Sequence, residues 1–279
     1  MGTTQVPENP QRIVVIDSAA LDSVLALGLK PIGSTIYGEI PQYLGDQTQG
    51  IEIVGDVNQP NLESILKLQP DLILGTKVSA GRIYRPLSRI APTVLTEGSG
   101  SSLDWPENFR LFAATLGKTE LGSQQIDAYQ QRVSELRAQL NQVRDQRVEE
   151  TVVSLLVTGQ GRVGFYTENS FPGSVLRDIG FARPVAQTKP KRRAAMASRE
   201  DLDSLDGDVI FLIHSPQSED SLALEAFTAD SIWSQLNAVQ QDQIYQVDNE
   251  VWIAGRSILA ANQILNDISQ SLLGDRPNS

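Results

Sequence analysis

The chain has no cysteine and a single histidine, His214, among 279 residues. Without thiols there is no disulfide, no zinc–thiolate site and no iron–sulfur cluster. One histidine also leaves little for catalysis. A Ser-His-Asp triad would need His214 as its base, yet His214 closes an apolar run and no G-x-S-x-G elbow precedes it. No Gly-rich phosphate loop or dinucleotide fingerprint is present; Thr158-Gly159-Gln160-Gly161 is too short for either and reads as a turn. The chain is therefore read as a non-enzyme. Positive charge is scarce as well. Lys and Arg number 23 against 34 Asp and Glu, a net charge of −11, which argues against a nucleic-acid partner. No apolar run approaches the roughly 20 residues of a membrane span, and Met1 to Gln11 lack the apolar core of a signal peptide. Met1-Gly2 could open a myristoylation motif, but Val6 stands where that motif wants Ser or Thr.

What is present alternates between strand and helix patterns. Arg12–Asp17 reads as a buried strand and Ser18–Leu29 as a helix with Leu21, Val24, Leu25 and Leu27 on one side. Short strands follow at Pro31–Thr35 and Ile51–Val57, then helix Asn61–Leu68 and strands Leu72–Thr76 and Ala91–Thr96. Pro106–Leu116 is helical. After a long helical segment the rhythm returns: strand Thr151–Thr158, helix Gly173–Ile179, helix Arg199–Leu205, strand Val209–His214, turn Ser231–Leu236, strand Ile244–Val247 and a closing helix Arg256–Leu273. Strands alternating with helices predict mostly parallel, doubly wound sheets.

Two stretches echo each other. Asn61–Leu74 aligns with Ser198–Phe211 at a constant offset of 137 residues, pairing Glu63 with Glu200, Ile65 with Leu202, Leu68 with Leu205 and Asp71 with Asp208. An echo at half the chain length predicts two similar lobes. Between them, Ile126, Tyr129, Val133, Leu136, Leu140 and Val143 recur at alternating spacings of 3 and 4, with no Pro from Leu121 to Gln146. A coiled coil would carry the same pattern, but it lasts under four heptads and α/β segments flank it. The expected architecture is α/β: two Rossmann-like lobes with mostly parallel sheets, joined by one long rigid backbone helix, with the ligand cleft between the lobes. The boundaries are 10–118 for the N-terminal lobe, 119–148 for the connecting helix and 149–274 for the C-terminal lobe.

The order RIVVID–AALDSVLALGLKPIG, NLESILKLQPDLIL, IAPTV, a long helix, GSVLRDIGF, SREDLDSLDGDVIFL and IWSQLNAVQQDQIYQVDNEVW resembles the ferric-siderophore and cobalamin binding proteins of ABC importers. Each motif alone is a loose core pattern; their order and spacing over Arg12 to Leu273 are specific. The resemblance implies two α/β lobes around one backbone helix and a shallow ligand site. It also implies a periplasmic or lipid-anchored location, with a targeting segment absent from this chain. A membrane permease dimer would be the partner, and one exposed Glu on each lobe, here Glu63 and Glu200, would dock into it. Read from the residues alone, the same two carboxylates are helix N-terminal acids favoured by the dipole, worth ~0.3–1 kcal/mol each.

The scarce cations cluster after strand ends, where parallel sheets build their sites. Arg82 and Arg85, with Tyr84 between them, follow the Leu72–Thr76 strand, and Tyr37 follows Pro31–Thr35. Arg162, Phe165 and Tyr166 follow Thr151–Thr158; Lys189, Lys191, Arg192 and Arg193 precede the second echo helix; Trp252 and Arg256 follow Ile244–Val247. Any one Arg is as readily a solvated surface residue. In combination, guanidinium groups suit carboxylate or hydroxamate oxygens, and rings pack on an organic chelate. Trp105 and Trp233 read as structural. The six Tyr are scattered, so direct metal binding is not expected and no cofactor is called for. The expected ligand is a ferric siderophore, of hydroxamate or citrate-hydroxamate type, bound by a monomer. The alternatives are a cobalamin or haem carrier, with His214 or a Tyr as haem ligand. A metal-cluster subunit would need the missing Cys, and a scaffold protein would leave the Arg and aromatic residues without purpose.

Overall fold

Two runs of Val, Ile and Leu bounded by turn residues become the centres of two sheets. The computed structural model describes residues 3–143, 147–159, 162–188, 192–214, 229 and 231–274, with backbone alone at 158, 159, 162, 199 and 200. Lys189 and Lys191 lie outside the described residues. The chain divides into two compact units, Met1–Tyr129 with Ala254–Asn262, and Gln130–Ile253 with Gln263–Ser279.

In the first unit the elements run β1 (Ile13–Val15), α1 (Ser18–Ala26), β2 (Gly33–Ile36), β3 (Glu52–Asp56), β4 (Gln59–Pro60), α2 (Leu62–Lys67), β5 (Leu72–Thr76), α3 (Lys77–Ala80), α4 (Tyr84–Ile90), β6 (Thr93–Thr96) and α5 (Trp105–Thr115). Six strands form one sheet in the order β4-β3-β2-β1-β5-β6, every pair parallel except β3–β4. β1 and β5 are central and wholly buried, which is why they read as unbroken apolar runs rather than alternating ones. Val14, Ile16, Val54, Ile65, Ile73 and Leu87 pack as one core cluster. Trp105, as expected, is structural: it is buried edge-on to Tyr129, ring centroids 5.2 Å apart.

Helix α6 (Thr119–Val143) has 25 residues, about 38 Å at 1.5 Å per residue. Its Ile126, Tyr129, Val133, Leu136 and Leu140 are all buried, as their spacing predicts. The second unit continues with β7 (Val153–Gly159), β8 (Arg162–Tyr166), α7 (Phe171–Ile179), β9 (Ala194–Ala197), β10 (Val209–His214), α8 (Asn237–Gln240) and β11 (Ile244–Asp248); α9 (Ile258–Leu273) begins in the first unit and continues in the second from Gln263. Its five-stranded sheet has the order β11-β10-β7-β8-β9. The β11–β10–β7 pairs are parallel, whereas β7–β8 and β8–β9 are antiparallel. Ser170 caps α7 through the Gly173 amide, and Gly180, at φ 101°, ends it in the left-handed conformation that a side chain resists.

The sequence echo has a structural counterpart. The Asp71 carboxylate accepts the Gln11 and Arg12 amides at 2.8 and 3.0 Å, immediately ahead of β1. Asp208 accepts the Val152 amide at 2.7 Å, immediately ahead of β7. Each Asp opens one strand and fixes the entry of its neighbour. The echo is not complete: Asn61 caps an α-helix, but Arg199–Leu205 is a 3-10 helix, with the Asp201 carboxylate folded back onto the Ser198 amide and hydroxyl.

Candidate functional site

In parallel sheets the loops beyond the carboxyl ends of the strands are free to carry function. In the first unit these are Asp17 after β1, Tyr37 after β2, Lys77 after β5 and Glu97–Asp104 after β6. Asp17 braces this edge: its buried carboxylate accepts the Ala20 amide at 2.9 Å, the Thr76 amide at 2.7 Å and the Ser79 hydroxyl. Lys77 pairs with Glu97 across the ends of β5 and β6. Beyond β6, Asp104 gathers the Gly100 and Ser102 amides and the Ser102 hydroxyl into a tight turn.

Arg256 arrives at this edge from the far end of the chain. Its guanidinium carbon lies 5.8 Å from the centroid of the Tyr37 ring, a cation–π arrangement, and Tyr37 is 42% exposed. Gly100, at φ +71°, makes the approach possible: a Cβ there would stand 2.5 Å from the Arg256 carbonyl oxygen. Arg256 precedes α9, which was expected to begin at Arg256 but begins at Ile258.

The helix starts there because Asp22, on α1, caps it. The fully buried Asp22 carboxylate accepts the Leu259 and Ala260 amides, both at 2.9 Å, and the Tyr43 hydroxyl at 3.2 Å. Beside it the Ser23 and Ser257 hydroxyls lie 2.8 Å apart. Burial pushes the Asp22 carboxyl up to about 6, against the lowering by these hydrogen bonds. Nothing in the sequence around Asp22 marks it, because its partners lie up to 238 residues away.

The expected site residues separate into three groups. Tyr37 and Arg256 are brought together. Arg82 and Arg85 stand exposed before and at the start of α4, and Tyr84 is half-buried. Tyr84 lines a cavity of about 310 Å³ along the outer edge of β6, together with Thr4, Lys77, Thr93, Glu97 and Thr115. That cavity contains neither Tyr37 nor Arg256. The Tyr37–Arg256 edge differs from the cavity in holding its cation directly over a ring. Arg162 begins β8 beside Gly159, at the carboxyl edge of the second sheet, and its side chain is outside the described residues. Glu63 is exposed in the first turn of α2; the Glu200 side chain is outside the described residues.

Topology and burial place the remaining expected residues away from the strand-end loops. Because β8 runs antiparallel to β7, Phe165 pairs with Leu156 and Tyr166 with Ala194, back toward the amino edge of the sheet. Phe165 is packed in the core with Leu156, Leu212 and Trp233, which is itself structural as expected. Arg192 and Arg193, both exposed, lie at the same amino edge as Tyr166: the Thr167 amide donates to the Arg193 carbonyl at 2.9 Å, and its hydroxyl to that of Arg192. A strand hairpin thus carries these residues away from the loops that follow β7, β10 and β11. Trp252 is 0% exposed; its indole N–H donates to Asp267 at 2.8 Å and its ring packs on Phe211 at 4.9 Å. It is a core residue rather than a ligand contact. Among the described residues no three His, Asp or Glu side chains group closely enough to hold a metal ion, and no helix is long and apolar enough to cross a membrane.

A family profile described as periplasmic binding protein matches residues 13–251. The "Probable siderophore-binding lipoprotein YfiY" of Bacillus subtilis is 35% identical over 286 residues, covering 98% of this chain and 86% of that protein. The achromobactin-binding periplasmic protein of Dickeya dadantii is 29% identical, covering 94% of this chain and 86% of its own. Among solved structures, Staphylococcus aureus SirA complexed with staphyloferrin B superposes with a TM-score of 0.86 at 26% identity, over 98% of this chain and 96% of that one.

Proposed function

This chain belongs to the periplasmic binding protein family, a family of substrate-binding proteins rather than enzymes, and from that premise we propose that it captures a ferric siderophore outside the cytoplasm for an ABC importer. The observation that carries this reading is the Arg256 guanidinium held over the exposed Tyr37 ring at the carboxyl edge of the first sheet. A cation beside a ring is what an anionic organic chelate needs: charge for its oxygens and a flat face for its carbon skeleton. Arg82 and Arg85, after the carboxyl end of β5, offer the same chemistry in the first unit, and Arg162 follows the carboxyl end of β7 in the second. The iron is cargo, enclosed by the siderophore and gripped from outside. Relatives named for ferric citrate in Bacillus subtilis and ferric dicitrate in Escherichia coli favour a carboxylate-bearing chelate, and so the citrate-hydroxamate type over a plain hydroxamate.

The test is calorimetric titration of the full chain with ferric citrate, a ferric hydroxamate, a ferric catecholate, cobalamin and haemin. Saturable binding of one ferric chelate is the expected result; binding of cobalamin or haemin alone would overturn the reading.

Delivery follows from the two echoed acids. Glu63 and Glu200 open helices at equivalent places in the two units, and on this reading they engage basic pockets of the permease dimer, with the chain acting as a monomer, free in the periplasm or lipid-anchored. The double variant Glu63→Ala/Glu200→Ala keeps its ligand affinity and loses uptake, by about tenfold or more for two charge-assisted contacts. Loss of affinity in that variant would remove the docking role.

A further inference from the structure

Asp22 is out of place in an ordinary α/β core. It is a fully buried carboxylate, and the described groups that hydrogen-bond to it are all neutral. Three donors from two separate parts of the first unit converge on it. From the start of α9 come the Leu259 and Ala260 amides. From the 3-10 segment Gln42–Thr48, which follows Tyr37, comes the Tyr43 hydroxyl. One carboxylate therefore joins the strand-end loop of Tyr37 to the segment of Arg256.

We propose that Asp22 is a positioning residue for ligand capture: its carboxylate ties the Arg256 segment to the Tyr37 loop, and protonation unties them. The role in capture rests on the ligand reading above; the tie does not. As an acceptor on both oxygens, the carboxylate serves both helix amides and the Tyr43 hydroxyl. A proton on one oxygen replaces an acceptor site with a donor and removes the charge, so the hold on the α9 amides weakens. Burial without a counter-ion brings that proton on under mildly acidic conditions, near pH 6. The described charged groups on the neighbouring elements have partners of their own. Asp17 holds Thr76 and Ser79, Arg256 lies over Tyr37, and Glu107 and Arg110 pair on the outer face of α5. Among the described residues, Tyr43 is the titratable side chain that hydrogen-bonds to it.

The sign separates this device from plain acid unfolding. The Asp22 value in the folded chain is raised from 3.8 to about 6, so between those values the folded state holds a proton the unfolded state lacks. This group's contribution to global stability therefore falls as pH rises through that window and does not fall on acidification. What acid removes is the local cap.

The experiment is hydrogen exchange on the full chain at pH 7.5 and 5, corrected for intrinsic rates, with ferric citrate affinity measured alongside. Protection of Leu259 and Ala260 is expected to drop about tenfold at the lower pH, the worth of a helix cap. In Asp22→Asn it is low at both pH values. Ferric citrate affinity, taken as the ratio of wild type to Asp22→Asn so that ligand speciation cancels, falls about threefold to tenfold in the same window. Should Asp22→Asn fail to fold, Tyr43→Phe removes one hydrogen bond that favours the charged form, and the midpoint of the protection change moves to higher pH. Protection that ignores pH in the wild type, or that responds equally in Asp22→Asn, overturns the proposal. Absence of ferric citrate binding at either pH with the amide response intact overturns the role in capture and leaves the tie standing.

Discussion

Trp252→Ala lowers the stability of the second unit by about 3–5 kcal/mol, the cost of deleting a fully buried aromatic side chain. The ring is packed on Phe211, and its N–H serves the half-buried Asp267, a carboxyl pushed up by that burial. Truncation leaves both a cavity and a carboxylate stripped of a donor, and the two losses compound. Domains of this size hold only about 5–15 kcal/mol in reserve. A chemical-denaturant titration followed by circular dichroism reads the loss directly. Trp252→Phe keeps most of the volume and loses only the hydrogen bond, so it sits between the two. A variant that keeps its denaturation midpoint yet loses ferric-chelate affinity would return Trp252 to the ligand.

Arg256→Glu lowers ferric-chelate affinity by about 100-fold, since reversing a half-buried charge at an anion site costs roughly 2–5 kcal/mol. Tyr37→Ala costs less, about tenfold, because the ring supplies packing and orients the guanidinium. The two effects are not additive: once the ring is gone, part of what Arg256 contributes is gone as well. Calorimetric titration of the two single variants and the double variant gives the coupling. Unchanged affinity in Arg256→Glu, with the thermal midpoint preserved, would move the grip to another part of the chain.

Periodicity carried most of the architecture. The buried strands Ile13–Val15 and Leu72–Thr76, the 3,4 spacing of α6 and the 137-residue echo are local signals, and each maps onto an observed element. The β7–β8–β9 hairpins were legible only in part. Thr158-Gly159-Gln160-Gly161 announced a turn, and Val163 and Phe165 alternate with Gly164 as a returning strand should. Ala194–Ala197 carries no strand signature of its own. That return is why Tyr166, Arg192 and Arg193 lie toward the amino edge of the sheet instead of following β7 outward. Trp252 misled because its position after a strand resembles a binding position, whereas a π-helical turn over Glu250–Ala254 rotates it into the core. Asp22 was invisible for the opposite reason: its burial is created by a helix from the other end of the chain.

The placement of the three tryptophans makes the chain its own spectroscope. Trp105 lies in the core of the first unit, and Trp233 and Trp252 in the core of the second. Intrinsic emission therefore starts blue-shifted and moves to the red only when a core opens to water. With Trp105→Phe the glow reports the second unit alone; with Trp233→Phe and Trp252→Phe it reports the first. A single heating curve recorded on each variant then reveals whether the two cores melt in one step or two.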